Sequence, residues 1–180
     1  MNQGILLATF GMIAAVAASN YLVELPINEF LTWGSFSYPV TFFITETVNY
    51  FHGPRWARRV VYIGFLVAVT LSFLFMNPQI AMASGLAFLI GQLLDISVFT
   101  RLRRMQWWLA PASASIAGSF VDTVIFFTIA FWGQGFLIVT LGTGDFLIKL
   151  SMDLVMLLPF RLFLWRSPIN HRPRITSAIS

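Results

Sequence analysis

The sequence predicts an all-α polytopic membrane protein with six transmembrane helices and both termini on the cytoplasmic side. Three observations predict it. From Ile5 to Trp165 the chain is one apolar run interrupted by short polar loops, and the blocks between loops are membrane-helix length; a helix needs about 20 apolar residues to cross the hydrocarbon core. Charged residues make up 10% of the chain and mean hydropathy is +0.80, whereas a soluble domain carries about 25% charged residues. The basic residues are confined to alternate loops, as cytoplasmic loops of a membrane protein are.

The first span is expected over residues 4–25. It is too long for a signal peptide, with neither a basic start nor a clear cleavage site. The second, over 37–52, is short and polar for a span: Ser37, Thr41, Thr45 and Asn49 recur four apart, with Glu46 beside them. The third, fourth and fifth follow over 57–75, 80–99 and 109–132, and the sixth over 145–165. Between the last two lie Gly133-Gln134-Gly135, an apolar stretch and Gly142-Thr143-Gly144. Twelve residues are too few to cross, which predicts an interfacial or re-entrant segment. Asp145 follows the last glycine and is expected at the N-terminal end of the sixth helix, where a carboxylate satisfies free N–H groups. The 180 residues are expected to form one transmembrane domain, with no room for a soluble one.

Arginine fixes the orientation. Arg55, Arg58 and Arg59 lie between the second and third spans, Arg101, Arg103 and Arg104 between the fourth and fifth, and Arg161, Arg166, Arg172 and Arg174 at the end. Threading six spans puts all of these on one side, while the opposite loops carry Glu24 and Glu29. Both termini are therefore expected inside. The six tryptophans fall at predicted helix ends, as an interfacial aromatic belt requires. The placement of the arginines argues against nucleic acid as a partner despite a pI near 10.1. Cysteine is absent, which excludes disulfides and thiolate metal sites. No nucleophile–base spacing, phosphate loop or metal-ligand cluster is present, so neither an enzyme nor a cofactor is expected.

A charge at the centre of a bilayer helix costs roughly 2.5–3.5 kcal/mol on insertion scales, so every ionisable residue inside a span is a functional candidate. Those residues are Glu46, Asp95, Asp122, Lys149 and Asp153. The fourth span carries Ala83, Ala87, Gly91 and Asp95 four apart, and the fifth repeats the pattern with Ala110, Ala114, Gly118 and Asp122. Residues four apart share a helix face, and small ones let two backbones approach. Each stripe therefore leads to one carboxylate, as an internal repeat or ordinary small-residue packing would arrange. Gln92 lies near Asp95, Ser115 and Ser119 near Asp122, and Asn20 late in the first span. Together these suit a small, flat, hydrogen-bonding solute. Structural alternatives stand beside this reading: Asp95 is in reach of Arg101, Glu46 of Arg58 or Arg59, and Asp145, Lys149 and Asp153 form a ladder that can neutralise itself. Asp122 lies near mid-helix, roughly 15 Å from either end, and cannot reach water.

Several spaced stretches carry a resemblance over about residues 20–165. They are Ala18-Ser19-Asn20-Tyr21, Trp33-Gly34-Ser35-Phe36-Ser37-Tyr38-Pro39, Gly53-Pro54-Arg55-Trp56, Gly91-Gln92-Leu93-Leu94-Asp95, Phe99-Thr100-Arg101-Leu102-Arg103, Trp107-Trp108-Leu109-Ala110-Pro111 and Asp122-Thr123. Together they resemble the vitamin-uptake-transporter family, and within it the queuosine-precursor transporters. The resemblance implies a six-helix carrier of the bacterial inner membrane that imports 7-deazaguanines for queuosine salvage, chiefly 7-cyano-7-deazaguanine, with the aminomethyl form a second candidate. It implies substrate contacts at Asn20, Thr41, Glu46, Gln92, Asp95, Ser115, Asp122 and Lys149, and Ser119 joins them as a candidate from its place on nearly the same face as Asp122. The chain departs from the family pattern at Glu46, usually Asp, and at Tyr50, often an acid.

The chemistry agrees with that implication. A deazaguanine presents N1–H and an exocyclic amine side by side, which one carboxylate accepts bidentately, while an amide donates to the ring carbonyl. The partners expected are thus a purine-like small molecule and the lipid bilayer, with a homo-oligomer left open. The competing reading is the substrate-binding subunit of an energy-coupling-factor vitamin transporter, which Ala14, Ala15, Ala17 and Ala18 would dock to its scaffold.

Overall fold

The computed structural model describes residues 3–23, 25–28, 31–75, 78–133 and 135–166. Helices dominate: α1 (Gln3–Val23), α2 (Gly34–Ser37), α3 (Pro39–His52), α4 (Pro54–Phe75), α5 (Pro78–Leu102), α6 (Leu109–Ala130) and α7 (Gly135–Arg166). Antiparallel strands β1 (Pro26–Asn28) and β2 (Leu31–Thr32) form a small hairpin between α1 and α2. Among the described residues four helices are long and apolar enough to cross a membrane, over Gln3–Leu22, Pro54–Leu74, Pro78–Leu102 and Leu109–Ala130. With these apolar helices the chain is an all-α polytopic membrane protein.

Prolines and glycines punctuate the chain. Pro39, Pro54 and Pro78 open α3, α4 and α5, where the missing N–H would have no helical partner anyway. Gly53 closes α3 at φ 86°, and Gly133 lies in the turn after α6 at the same φ; a side chain at either would be strained. The bundle thus has two ends. One holds the hairpin, and the other holds the arginine-bearing turns. Trp56, Trp107, Trp108 and Trp165 lie at the arginine end, and Trp33 and Trp132 at the hairpin end. Arg59 and Arg161 stack on Trp56 and Trp107 with the guanidinium 4.5 Å from each ring centroid, a cation–π arrangement.

Every expected span shifts by a few residues: the third begins at Pro54, the fourth covers Pro78–Leu102 and the fifth ends at Ala130, and the other three differences have a visible cause. The first span ends at Val23 rather than residue 25, because the chain turns into the hairpin. The second begins at Pro39, after the one-turn α2. The largest change is at the last span: α7 starts at Gly135 and runs straight through Gly142-Thr143-Gly144, so no re-entrant segment forms and Asp145 is not a helix-terminal residue. A glycine in a helix costs only about 1 kcal/mol, whereas broken backbone hydrogen bonds in lipid cost several. A Cβ at Gly142 would stand in ordinary van der Waals contact with α6, 3.6 Å from Phe127 and 3.7 Å from Thr123. Glu24, Glu29, Arg172 and Arg174 lie outside the described residues.

The core has two apolar parts. Met12, Val16, Val48, Val60, Phe88 and Ile96 join α1, α3, α4 and α5. Phe99, Ala110, Ala114, Phe160 and Leu164 form a plug among α5, α6 and α7 toward the arginine end. In the plug Phe160 meets Phe99 and Tyr50 edge-on at 6.1 and 5.9 Å.

The two small-residue stripes face one another across α5 and α6. A Cβ on Gly91 would stand 3.0 Å from the Asp122 Cβ and 3.0 Å from the Gly118 carbonyl oxygen. One on Gly118 would stand 2.6 Å from Phe42 and 3.3 Å from the Asp95 Cβ. Each glycine thus faces the other helix's aspartate, the reciprocity expected of two antiparallel helices related by a local two-fold. The consequence is vertical. Four residues are about 6 Å of rise, so Asp122 lies toward the hairpin end and Asp95 toward the arginine end.

Candidate substrate site

A cavity of about 120 Å³ lies in the hairpin half of the bundle. Asn20 and Ser19 reach it from α1, Ser35 from α2, Ser84 and Phe88 from α5, Asp122 and Phe126 from α6, and Asp145 and Lys149 from α7; Tyr38 completes the wall. At roughly 30 Å³ per water its volume corresponds to about four waters.

Lys149 is the electrostatic centre. It is 6% exposed, and its Nζ lies 2.8 Å from Asp122 Oδ2 and 2.5 Å from Asp145 Oδ2. The ammonium also stands 5.1 Å from the Tyr38 ring centroid. Tyr38 donates its hydroxyl to the other Asp122 oxygen at 2.7 Å. Thr123 donates to Asp145 Oδ2 at 2.9 Å, and Ser35 to Asp145 Oδ1 at a long 3.4 Å. The cluster therefore neutralises one of its two carboxylates through its own cation, and both Asp122 oxygens are occupied. Asp145 is the looser acceptor, with its side chain 13% exposed. Above it, Asn20 donates to the Val16 carbonyl at 3.0 Å and accepts from Ser72 at 3.0 Å.

A second polar layer lies one turn nearer the arginine end. Glu46 of α3, Asp95 of α5 and Asp153 of α7 converge there, all buried. The Glu46 and Asp95 carboxyls meet directly, and Asp153 acts electrostatically on both. Ser115 donates to Glu46 at 2.6 Å and Ser119 to Asp153 at 2.7 Å. These residues are absent from the cavity wall.

A third group is self-contained. Thr45 donates to the Gln92 carbonyl oxygen at 2.6 Å, Gln92 donates to Thr41 at 2.9 Å, and Thr41 donates to the Tyr38 carbonyl at 2.7 Å. Thr41, Thr45 and Gln92 have no exposure at all. Asn49 continues the α3–α5 contact by donating to the Ile96 carbonyl at 3.1 Å.

The single ring expected from sequence is thus three groups. Of its residues, Asn20, Asp122 and Lys149 line the cavity, Glu46, Asp95, Ser115 and Ser119 belong to the layer beneath, and Thr41 and Gln92 tie α3 to α5. The surface bridges weighed for Asp95 and Glu46 do not form: Arg101, Arg58 and Arg59 are exposed, and the ion pairs among the described residues are those of Lys149. Half of the α7 ladder neutralises itself, since Asp145 pairs with Lys149 and Asp153 does not. Tyr38, Ser35, Ser84 and Asp145 were not foreseen in the wall. The spacing of Asp145 four before Lys149 was a visible signal, masked by reading the adjacent glycines as a break.

A family model described as "Putative vitamin uptake transporter" matches residues 32–77 and 71–164. The chain is 31% identical over 205 residues to a "Probable queuosine precursor transporter" of Haemophilus influenzae, covering 88% of this chain and 85% of that one. It is 37% identical over 142 residues to the "Queuosine precursor transporter" of Escherichia coli, covering 65% and 64% of the two chains. A "Probable queuosine precursor transporter" of Bacillus subtilis is 29% identical over 130 residues, 57% of each chain. No solved structure matches. With a family model spanning most of the chain, and apolar helices able to cross a bilayer around a buried polar cavity, this multi-pass bacterial membrane protein belongs to the vitamin uptake transporter family.

Proposed function

We propose that the chain is one transmembrane carrier domain of the inner membrane, crossing six times with both termini cytoplasmic, and that it imports a queuosine precursor of the 7-deazaguanine class. The observation that carries this reading is the cavity around Lys149, where carboxylate, ammonium and amide groups converge beside the aromatic walls of Phe88 and Phe126. The names of the three relatives support the substrate class. In this topology the cavity lies in the outer half and the aromatic plug closes the cytoplasmic half.

The base lies between the aromatic walls with its N1–H and exocyclic amine toward Asp145 or Asp122. Its ring carbonyl takes a hydrogen bond from Lys149 or Asn20. Both Asp122 oxygens have close donors, whereas Asp145 Oδ1 has only the long 3.4 Å contact from Ser35 on a more exposed side chain; Asp145 therefore receives the base first through that oxygen, and Asp122 joins only if Tyr38 or Lys149 swings to the ligand. Without such partners, burying a polar base would cost several kcal/mol.

Cells that cannot make the deazaguanine base, expressing this protein and fed 7-cyano-7-deazaguanine, are expected to regain queuosine in tRNA. Absence of queuosine while the protein is present in the membrane overturns the substrate. Recovery only alongside a foreign ATPase module makes the chain a binding subunit of an energy-coupling-factor transporter instead.

A further inference from the structure

The layer beneath the cavity has an imbalance that the substrate reading leaves unexplained. Glu46, Asp95 and Asp153 come from three helices to one level, and among the described residues no cation pairs with them. Asp95 has no exposure, and neither of its oxygens has a hydrogen-bond donor. Asp153 is 4% exposed and one of its oxygens, Oδ1, is also without a donor. Ser115 and Ser119 supply one donor each to Glu46 and Asp153, far short of what three ionised carboxyls require. A buried carboxylate without a partner is among the costliest groups in a protein, and it neutralises by taking up a proton. Where two carboxyls meet with no donor between them, one proton serves both.

We propose that Glu46, Asp95 and Asp153 form an exchangeable proton site that couples import through the cavity above it to the proton gradient. Position supports this. The layer lies between the cavity and the aromatic plug of Phe99 and Phe160, where a proton released inward would follow the substrate. Connection supports it as well. Asp153 lies one turn below Lys149 on α7 and acts electrostatically on Glu46 and Asp95. Asp122 of α6 and Lys149 itself are the charged groups facing Asp153 from the cavity side. If a substrate draws Lys149 away from Asp122 and Asp145, the field at Asp153 changes, and with it the proton's hold.

The inference rests on the carrier reading, so the test has one arm that needs no substrate. Purified protein in sodium-free lipid at neutral pH is expected to show the infrared C=O stretch of a protonated buried carboxyl. Asp95→Asn should lose it, and Glu46→Gln should shift or lose it. Loss of the band in neither variant overturns the proton site. The second arm uses sodium-free vesicles and labelled 7-cyano-7-deazaguanine. For one proton per substrate, an inward gradient of one pH unit supports about ten-fold accumulation, and substrate addition acidifies the lumen. Asp95→Asn and Asp153→Asn should lose both responses; if one fails to reach the membrane, the other decides. Uptake that ignores the pH gradient overturns the coupling while leaving the carrier intact, and so does uptake driven only by added sodium. If the wild-type protein moves no deazaguanine at all, the substrate reading fails and the infrared arm alone decides the proton site.

Discussion

Two polar layers about one helical turn apart are built from the same parts and behave differently. Each contains an aspartate that ends a small-residue stripe, Asp122 in the cavity layer and Asp95 beneath it. Each receives hydroxyl donors from its surroundings and side chains from α7. In the cavity layer α7 brings Lys149 together with Asp145, and both Asp122 oxygens are satisfied. In the lower layer α7 brings only an acid, Asp153, and Asp95 is left without a donor. The difference teaches that a membrane carboxylate takes its role from what the third helix brings to its level. An ammonium makes a salt bridge that a ligand must compete with, while a second acid makes a place for a proton.

The comparison breaks most severely at Lys149. Lys149→Met removes the ammonium of the cavity layer and leaves buried Asp122 and half-buried Asp145 without a counter-charge. Breaking a buried pair by removing one partner costs about 3–5 kcal/mol, so membrane abundance and thermal stability should fall sharply and uptake should vanish. A double variant, Lys149→Met with Asp122→Asn, should recover part of the abundance without recovering uptake. Normal stability of Lys149→Met in a detergent melting assay would show that the upper layer is not held by its ion pair.

Asp122→Asn is gentler. The amide keeps the shape and is cheaper to bury, so the protein should reach the membrane. One acceptor oxygen becomes a donor facing Lys149, Tyr38 or the ligand, at a cost of about 1–3 kcal/mol, or roughly ten-fold in affinity. Substrate binding by the purified variant measures this. Affinity equal to wild type would confine Asp122 to a structural role and leave Asp145 as the carboxylate that binds the base.

The smallest effect is expected in the lower layer. Ser119→Ala removes a single donor to Asp153, and losing one hydrogen bond of this kind costs about 0.5–1.5 kcal/mol. Stability should change little, while the response of uptake to an imposed pH gradient should shift, because one of the few donors in that layer is gone. A comparable shift from Thr45→Val, whose hydroxyl bonds Gln92 outside both layers, would mean that the lower layer is not distinct.

The sequence alone determined the class and the ingredients. Apolar blocks, one-sided arginines and tryptophans at block ends predict an all-α polytopic protein whatever the packing, because the bilayer acts on composition and length. It also singled out the ionisable residues, since a charge in a span is conspicuous against an apolar background. The stripes ending in Asp95 and Asp122 were legible because small residues four apart share one helix face. Tertiary structure decided the grouping. Whether Lys149 meets Asp122 or Asp153 depends on the register of α7 against α6, and no local pattern encodes that register. It follows from α7 continuing through its glycines, in surroundings where lipid offers the backbone no other hydrogen-bond partner. For the same reason Thr41 and Gln92, which look like ligand-binding residues in one dimension, satisfy each other in three, while Tyr38 and Asp145 enter the site from positions that read as the first turns of the second and sixth spans.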